Sequence, residues 1–255
     1  MNVQRDISNR EVVLEINNLY KSFGDNNVLN GFNMRLYQSE NLVIMGKSGS
    51  GKSVMIKCLV GLMEADSGSI SVMQNDITKL NQKSLDLLRA DIGFLFQGSA
   101  LYDSMTVREN LEFPLRRHTK KFDKHIDPEQ LVLEALENVG LVDAVDLMPS
   151  ELSGGMKRRV ALARTLILQP KVILYDEPTS GLDPITSKEI IILMQDIQKK
   201  YGTSSLIITH DVDCARVISD RMILLIDGRD YAVGTYNELS VSKDPKIKAF
   251  FKQDI

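Results

Sequence analysis

Gly46-Lys47-Ser48-Gly49-Ser50-Gly51-Lys52-Ser53 lies between an apolar run at residues 42–45 and a stretch of helical character, 54–60, that closes at Gly61. Glycines let a backbone turn tightly enough for successive N–H groups to face phosphate oxygens. The positive end of a following helix adds attraction for the same anion. Lys52 is placed to reach the β- and γ-phosphates of a nucleoside triphosphate, and the Ser53 hydroxyl to bind Mg²⁺. This phosphate-loop pattern requires a strand before it and a helix after it, and both are present.

Working outward, residues 12–16, 92–96, 172–175, 206–209 and 222–226 are short apolar runs of buried-strand length. Helical stretches such as 187–200 separate most of them. Strands alternating with helices predict an α/β fold with a mainly parallel sheet covered on both faces. From about residue 98 to 168 the pattern is helical without a strand, and Pro114, Pro128 and Pro149 divide it. A helical subdomain inserted into the α/β core is expected there. The basic stretch Arg116-Arg117-His118-Thr119-Lys120-Lys121 reads as a solvated loop, with contact to anionic lipid headgroups as the sharper alternative.

Composition sets further bounds. The 255 residues are 43% hydrophobic and 25% charged, with a formal net charge of −3, as in an ordinary globular protein and unlike a general nucleic-acid binder. Cys58 and Cys214 are too few for a disulfide framework or a cysteine-rich metal site, and read as free thiols. Residues 1–10 are polar and mixed in charge, unlike a secretory signal, and no apolar stretch approaches the length of a membrane span. Action on a membrane would therefore require a partner.

A phosphate loop needs a metal-binding carboxylate at the end of another buried strand. Val172-Ile173-Leu174-Tyr175-Asp176-Glu177 supplies one. Asp176 is placed to steady the Mg²⁺ shell, and Glu177 to polarise a water for attack on the γ-phosphate. A second glycine-rich segment, Leu152-Ser153-Gly154-Gly155-Met156, reads as another phosphate-binding helix start. One nucleotide site rarely needs two, so the surplus suggests an ATP site shared by two copies of the chain.

These residues resemble the nucleotide-binding subunit of ATP-binding cassette (ABC) transporters over essentially the whole chain. Leu152 to Met156 resembles the family signature. Gln97, after Phe94-Leu95-Phe96, resembles the Q-loop glutamine, Ser180-Gly181-Leu182-Asp183 the D-loop, and His210, after Ile207-Ile208-Thr209, the switch histidine. Phe23 before Gly24 sits where the family places an aromatic ring against adenine. The motifs occur in the family's order. The resemblance implies one ABC ATPase domain over residues 1–255: a P-loop NTPase with a RecA-like, mainly parallel sheet, an antiparallel β subdomain and a helical subdomain at 98–168. It implies ATP and Mg²⁺ as cofactors, with Ser53, Gln97 and Asp176 at the metal. ATP would be held by Phe23, Gly46, Lys47, Ser48, Gly49, Ser50, Gly51, Lys52, Ser53 and Gln97. Catalysis would fall to Glu177 as base, with His210 at the γ-phosphate. It also implies a homodimer in which Ser153, Gly154 and Gly155 of one copy close over ATP held by the other, with Asp183 at the interface.

Finer likeness points to a subgroup. Met156 stands where most members carry glutamine. The segment from Leu95 to Val107, the run Pro114-Leu115-Arg116, Asp183-Pro184-Ile185-Thr186, and Asp244-Pro245 with Phe250 beyond are similar to Mla-type phospholipid transport ATPases. That likeness implies a chain in the cytoplasm, peripheral to the inner membrane through permease subunits. A membrane-anchored lipid-binding protein and a small cytosolic subunit are further candidate partners. The rival class is a soluble ABC ATPase of iron–sulfur cluster assembly. The long coiled coil of DNA-repair relatives and the double cassette of ribosomal ones are both missing from this sequence.

Overall fold

The computed structural model describes residues 10–118, 121 and 127–251. Its elements in chain order are β1 (Val12–Phe23), β2 (Asn26–Tyr37), β3 (Asn41–Met45), α1 (Lys52–Leu59), β4 (Ser67–Val72), β5 (Asn75–Asp76), α2 (Gln82–Arg89) and β6 (Ile92–Leu95). There follow α3 (Val107–Arg117), α4 (Pro128–Glu137), α5 (Gly154–Leu166), β7 (Val172–Asp176), α6 (Pro184–Tyr201), β8 (Ser204–Thr209), α7 (Val212–Ile218), β9 (Arg221–Ile226), β10 (Arg229–Gly234), α8 (Tyr236–Ser240) and α9 (Pro245–Phe251).

Six strands form one sheet in the order β10-β9-β3-β8-β7-β6. From β9 to β6 the pairing is parallel, and β10 joins β9 antiparallel. Side chains alternate between its faces, as strand geometry dictates. On one face Val43, Met45, Ile173, Tyr175, Ile207, Met222 and Leu224 join a core with α3, α4, α5, α6 and α7. On the other, Leu42, Ile44, Val172, Leu174, Leu206, Ile208, Ile223 and Leu225 join a second core with α1, α2 and the smaller sheet. The mainly parallel, doubly covered sheet expected from the apolar runs is therefore present, with the mixed sheets and flanking helices of a P-loop NTPase.

The smaller sheet is antiparallel, in the order β2-β1-β4-β5. Strand β1 runs seven residues past the apolar run at 12–16, through a register shift between Ile16 and Leu19 where Asn18 takes φ +47°. That irregularity lets the strand resume pairing with β2 beyond it.

Between residues 98 and 168 only helices and short turns occur among the described residues. Pro128 and Pro149 open the first turn of α4 and of a short 3-10 turn, as boundary prolines do. Pro114 does not mark a boundary: it lies inside α3. The helix begins with a reciprocal capping box between Thr106 and Glu109 and buries Val107, Leu111 and Leu115 along one face. Those gains outweigh the one backbone donor that proline removes. Arg116 and Arg117 accordingly form the last turn of α3 rather than a loop, and Thr119 and Lys120 lie outside the described residues. Among the described residues no helix is long and apolar enough to cross a membrane.

Candidate nucleotide site

The phosphate loop joins the C-terminal end of β3 to the start of α1. Gly51, the residue that caps α1, holds φ +101°, and a Cβ there would sit 2.9 Å from the Val28 carbonyl oxygen of β2. Only glycine satisfies both the torsion and the approach. The β1–β2 hairpin thus packs directly on the loop. The Lys52 ammonium donates to the Gly46 carbonyl at 2.6 Å and to the Lys47 carbonyl at 3.0 Å, which draws the loop around it. Ser50 Oγ is buried inside the loop without a partner. A buried hydroxyl left so is costly unless a ligand meets it, and a phosphate oxygen is a fitting acceptor.

A cavity of about 520 Å³ opens over this loop, lined by Ser48 to Val54, Val28, Gln97, Asp176, Glu177 and His210. Asp176 ends β7 and Glu177 follows in a left-handed conformation, φ +48°, fixed by its N–H donating to Ile208 O at 2.8 Å. A non-glycine residue in that region is strained, and such strain persists where neighbours over-determine it. Burial raises the Asp176 carboxyl above its ordinary range, the Glu177 charge adds to this, and Lys52 opposes it. Burial lowers the Lys52 ammonium, while Glu177 and Asp176 hold it up. Cation and carboxylates are therefore electrostatically coupled across the cavity floor.

His210 follows β8; its Nδ1 lies 2.9 Å from Glu177 Oε2. Gln97 follows β6, and its Nε2 donates to Ser180 Oγ at 3.2 Å. Asp183 caps α6 instead of facing the cavity, accepting from the N–H groups of Ile185 and Thr186 at 3.0 Å. Those bonds lower its pKa, the Thr186 hydroxyl contributing most.

Ser153, Gly154 and Gly155 lie outside the lining of this cavity. Ser153 caps α5, its Oγ accepting from Met156 N–H at 3.2 Å, so its hydroxyl proton remains available. The N–H groups of Gly154 and Gly155 are first-turn donors without intrahelical partners. A Cβ on Gly155 would stand 2.7 Å from Thr186 Cγ2, so the glycine lets α5 approach α6 closely. Phe23 is half exposed at the end of β1, with Lys21 Nζ 5.6 Å from its ring centre, and it too lies outside the lining.

The structure thus gathers Ser48 to Ser53, Gln97, Asp176, Glu177 and His210 around the cavity, and leaves Phe23, Ser153, Gly154, Gly155 and Asp183 outside its lining. Gly46 and Lys47 also lie outside the lining and meet the site through the carbonyls that accept from Lys52. Sequence reasoning missed Val28 and Val54 in the lining, since apolar residues on a strand or helix carry no mark of a phosphate neighbour. Among the described residues no cluster of three or more His, Cys, Asp or Glu forms a metal cage. Asp176 and Ser53 line one cavity, a donor set that fits Mg²⁺, which is held by few protein oxygens together with phosphates.

These parts define a nucleotide-hydrolysing P-loop protein. The chain belongs to the ABC transporter family, which it matches over residues 29–180, and its domain is an ABC ATPase. The "Probable ribonucleotide transport ATP-binding protein mkl" of Mycobacterium tuberculosis is 39% identical over 239 residues, 94% of this chain. The chain spans 66% of that protein's length. The "Intermembrane phospholipid transport system ATP-binding protein MlaF" of Haemophilus influenzae is 36% identical over 240 residues, 94% of this chain and 90% of that one. Among solved structures, cbiO1 from Clostridium perfringens, part of the ABC transporter complex cbiONQ, superposes with a TM-score of 0.83 at 30% identity, covering 91% of this chain and 92% of that one. The dimeric cassette MJ0796 bound to ADP and Pi gives 0.78 at 31% identity, covering 88% of this chain and 98% of that one.

Proposed function

We propose that two copies of this chain form a head-to-tail dimer that hydrolyses ATP at two shared sites and drives phospholipid transport through membrane permease subunits. The observation that carries the dimer is the separation within one copy: the phosphate loop and carboxylates line the cavity, while the exposed Ser153–Gly154 helix start lies outside it. A second copy brings that helix start to the γ-phosphate side, a reading that the dimeric relative supports.

In this reading the glycine-loop N–H groups and Lys52 hold the phosphates, and Phe23 flanks the adenine. Ser53 and Asp176, joined by Gln97, would hold Mg²⁺, which when bound neutralises charge developing on the phosphates. Glu177 accepts a proton from the attacking water, and His210 orients Glu177 and meets the γ-phosphate. The partner's signature serine and glycine N–H groups stabilise the transferring phosphoryl oxygens, and Asp183 sits at the interface. The likeness to MlaF over most of both chains supports phospholipid as cargo, together with the local likeness around Gln97 and at Met156. It also supports a place on the cytoplasmic face of the inner membrane, with a membrane-anchored lipid-binding protein and a small cytosolic subunit as partners.

Mixing two inactive variants tests the shared site. In a mixed dimer of Lys52→Ala with Ser153→Arg, one site carries both lesions and the other none. ATP turnover should recover to about a quarter of wild type, since half of random dimers are mixed and each retains one of two sites. No recovery, with mixed dimers demonstrated by mass spectrometry, would reject it. The cargo is tested by affinity purification from detergent-solubilised membranes. A multi-span permease with a lipid-binding protein supports it, and recovery of only soluble cluster-assembly proteins overturns it.

A further inference from the structure

Arg158 lies in the second turn of α5, five residues beyond Ser153, and only 4% of it is exposed. Its Nη1 donates to the Phe96 carbonyl at 2.7 Å, and its Nη2 donates to the carbonyls of Gln97 and, at 3.3 Å, Ser180. Its Nε is buried with no partner, and among the described residues no carboxylate pairs with it. A cation taken from water without an anion is expensive, and carbonyl dipoles return only part of that cost. The guanidinium is planar and multidentate, so it fixes the relative positions of the three carbonyls it spans. Further along the same helix, Arg164 donates to the carbonyls of Ala100 at 2.7 Å and Ser99 at 3.0 Å, two residues held at φ +49° and +61°. The loop after β6 is therefore held by its main chain to α5. The Gln97 side chain meanwhile reaches Ser180 Oγ, in the turn that Arg158 also grips.

We propose that Arg158 is a positioning residue that ties Gln97 to the signature helix, so that the placement of Ser153 and the placement of Gln97 vary together. The inference rests on the assignment of Gln97 to the hydrolytic site made above. A displacement of α5, whose first residues would meet the partner's ATP, then moves the Gln97 main chain with it. Substrate binding is left to the phosphate loop, so the residue governs turnover more than affinity.

The test is a double-mutant cycle on the full chain, with steady-state ATP turnover and thermal midpoint measured for wild type, Arg158→Met, Gln97→Ala and the pair. Arg158→Met keeps the apolar stem and should lower kcat roughly tenfold with KM for ATP within about twofold, as loss of transition-state positioning does. In the Gln97→Ala background the same substitution should change kcat by less than about twofold, because residues acting as one unit are non-additive. Arg158→Lys, which keeps charge but cannot span three carbonyls, should fall between. Independent losses that multiply across the cycle overturn the inference while leaving Gln97 in the site. If Gln97→Ala alone leaves kcat unchanged, the assignment of Gln97 fails and the inference with it. Should Arg158→Met not fold, the cycle is run with Arg158→Lys and read in the same way.

Discussion

His210 Nδ1 lies 2.9 Å from Glu177 Oε2, and the His210 main-chain N–H donates to that same oxygen at 3.3 Å. An ionised carboxylate only accepts, so Nδ1 carries the proton in this contact. The histidine is largely exposed while the carboxylate is mostly covered, and the pair lines the cavity opposite Lys52. A carboxylate aimed by two donors on one oxygen keeps its other oxygen free to take a proton from water.

Replacing Glu177 with glutamine keeps the shape and an acceptor oxygen for His210 but removes the basic oxygen. ATP turnover should fall about 10²–10⁴-fold, the usual contribution of a positioned general base, while nucleotide binding persists. Phosphate release and equilibrium binding of a fluorescent ATP analogue check the two halves. Turnover close to wild type would take the role of base away from Glu177.

Lys52 is buried, and burial holds its pKa below 10.5, the value expected in the unfolded chain. Between the folded pKa and 10.5 the unfolded chain binds the proton more tightly, so this residue's contribution to stability rises with pH across that window. Lys52→Met removes the titration. The melting temperature of wild type minus that of the variant should therefore grow from about pH 7 to about pH 10, and nucleotide binding should be lost at both. A difference that is flat or falls with pH contradicts the direction of the shift.

Tyr175 ends the apolar part of β7 fully buried, and its hydroxyl has no hydrogen-bond partner. Burial also pushes its pKa far up. Tyr175→Phe removes an unsatisfied polar atom beside Asp176 without altering the ring. Stability to urea should rise by about 1–2 kcal/mol, the cost of such a group in a core. A loss of similar size would mean that the hydroxyl has a partner in solution.

The parts of the molecule legible in the sequence are those whose chemistry is written in consecutive residues. The loop from Gly46 to Ser53 and the pair Asp176-Glu177 each combine an apolar strand with the polar residues that its end presents, and Ser48 to Ser53 and both acids line the cavity. Strand β2 was not legible, because Asn26, Asn27, Asn30 and Asn33 interrupt the alternation that a two-faced strand shows. Its pairing with β1 supplies the register that its composition obscures. Pro114 reads as a breaker in isolation, yet the capping box and buried face of α3 are tertiary gains that no single residue announces. Arg158 reads as one charge among several at the start of α5. Its task appears only when β6 and the turn at Ser180 are folded against that helix.

Cys214 is buried in α7, the helix that follows β8 and His210. Burial pushes its thiol up to about 12, with the nearby Asp211 and Glu177 charges adding to the shift. The unfolded thiol ionises near 9.0, so above that pH the unfolded chain releases a proton that the folded chain keeps. The contribution is fully present below pH 9.0 and is lost as the pH climbs toward about 12. The thiolate is the reactive form, so native Cys214 should resist iodoacetamide at about pH 8.5 and label only as the chain unfolds. Peptide-resolved mass spectrometry after timed labelling, with and without urea, separates Cys214 from Cys58, which is buried as well. Burial raises the Cys58 thiol too, with the Lys21 charge opposing, so it should also label slowly. Labelling of native Cys214 at the rate of a free thiol would show that α7 opens away from β8 far more readily than its packed core allows.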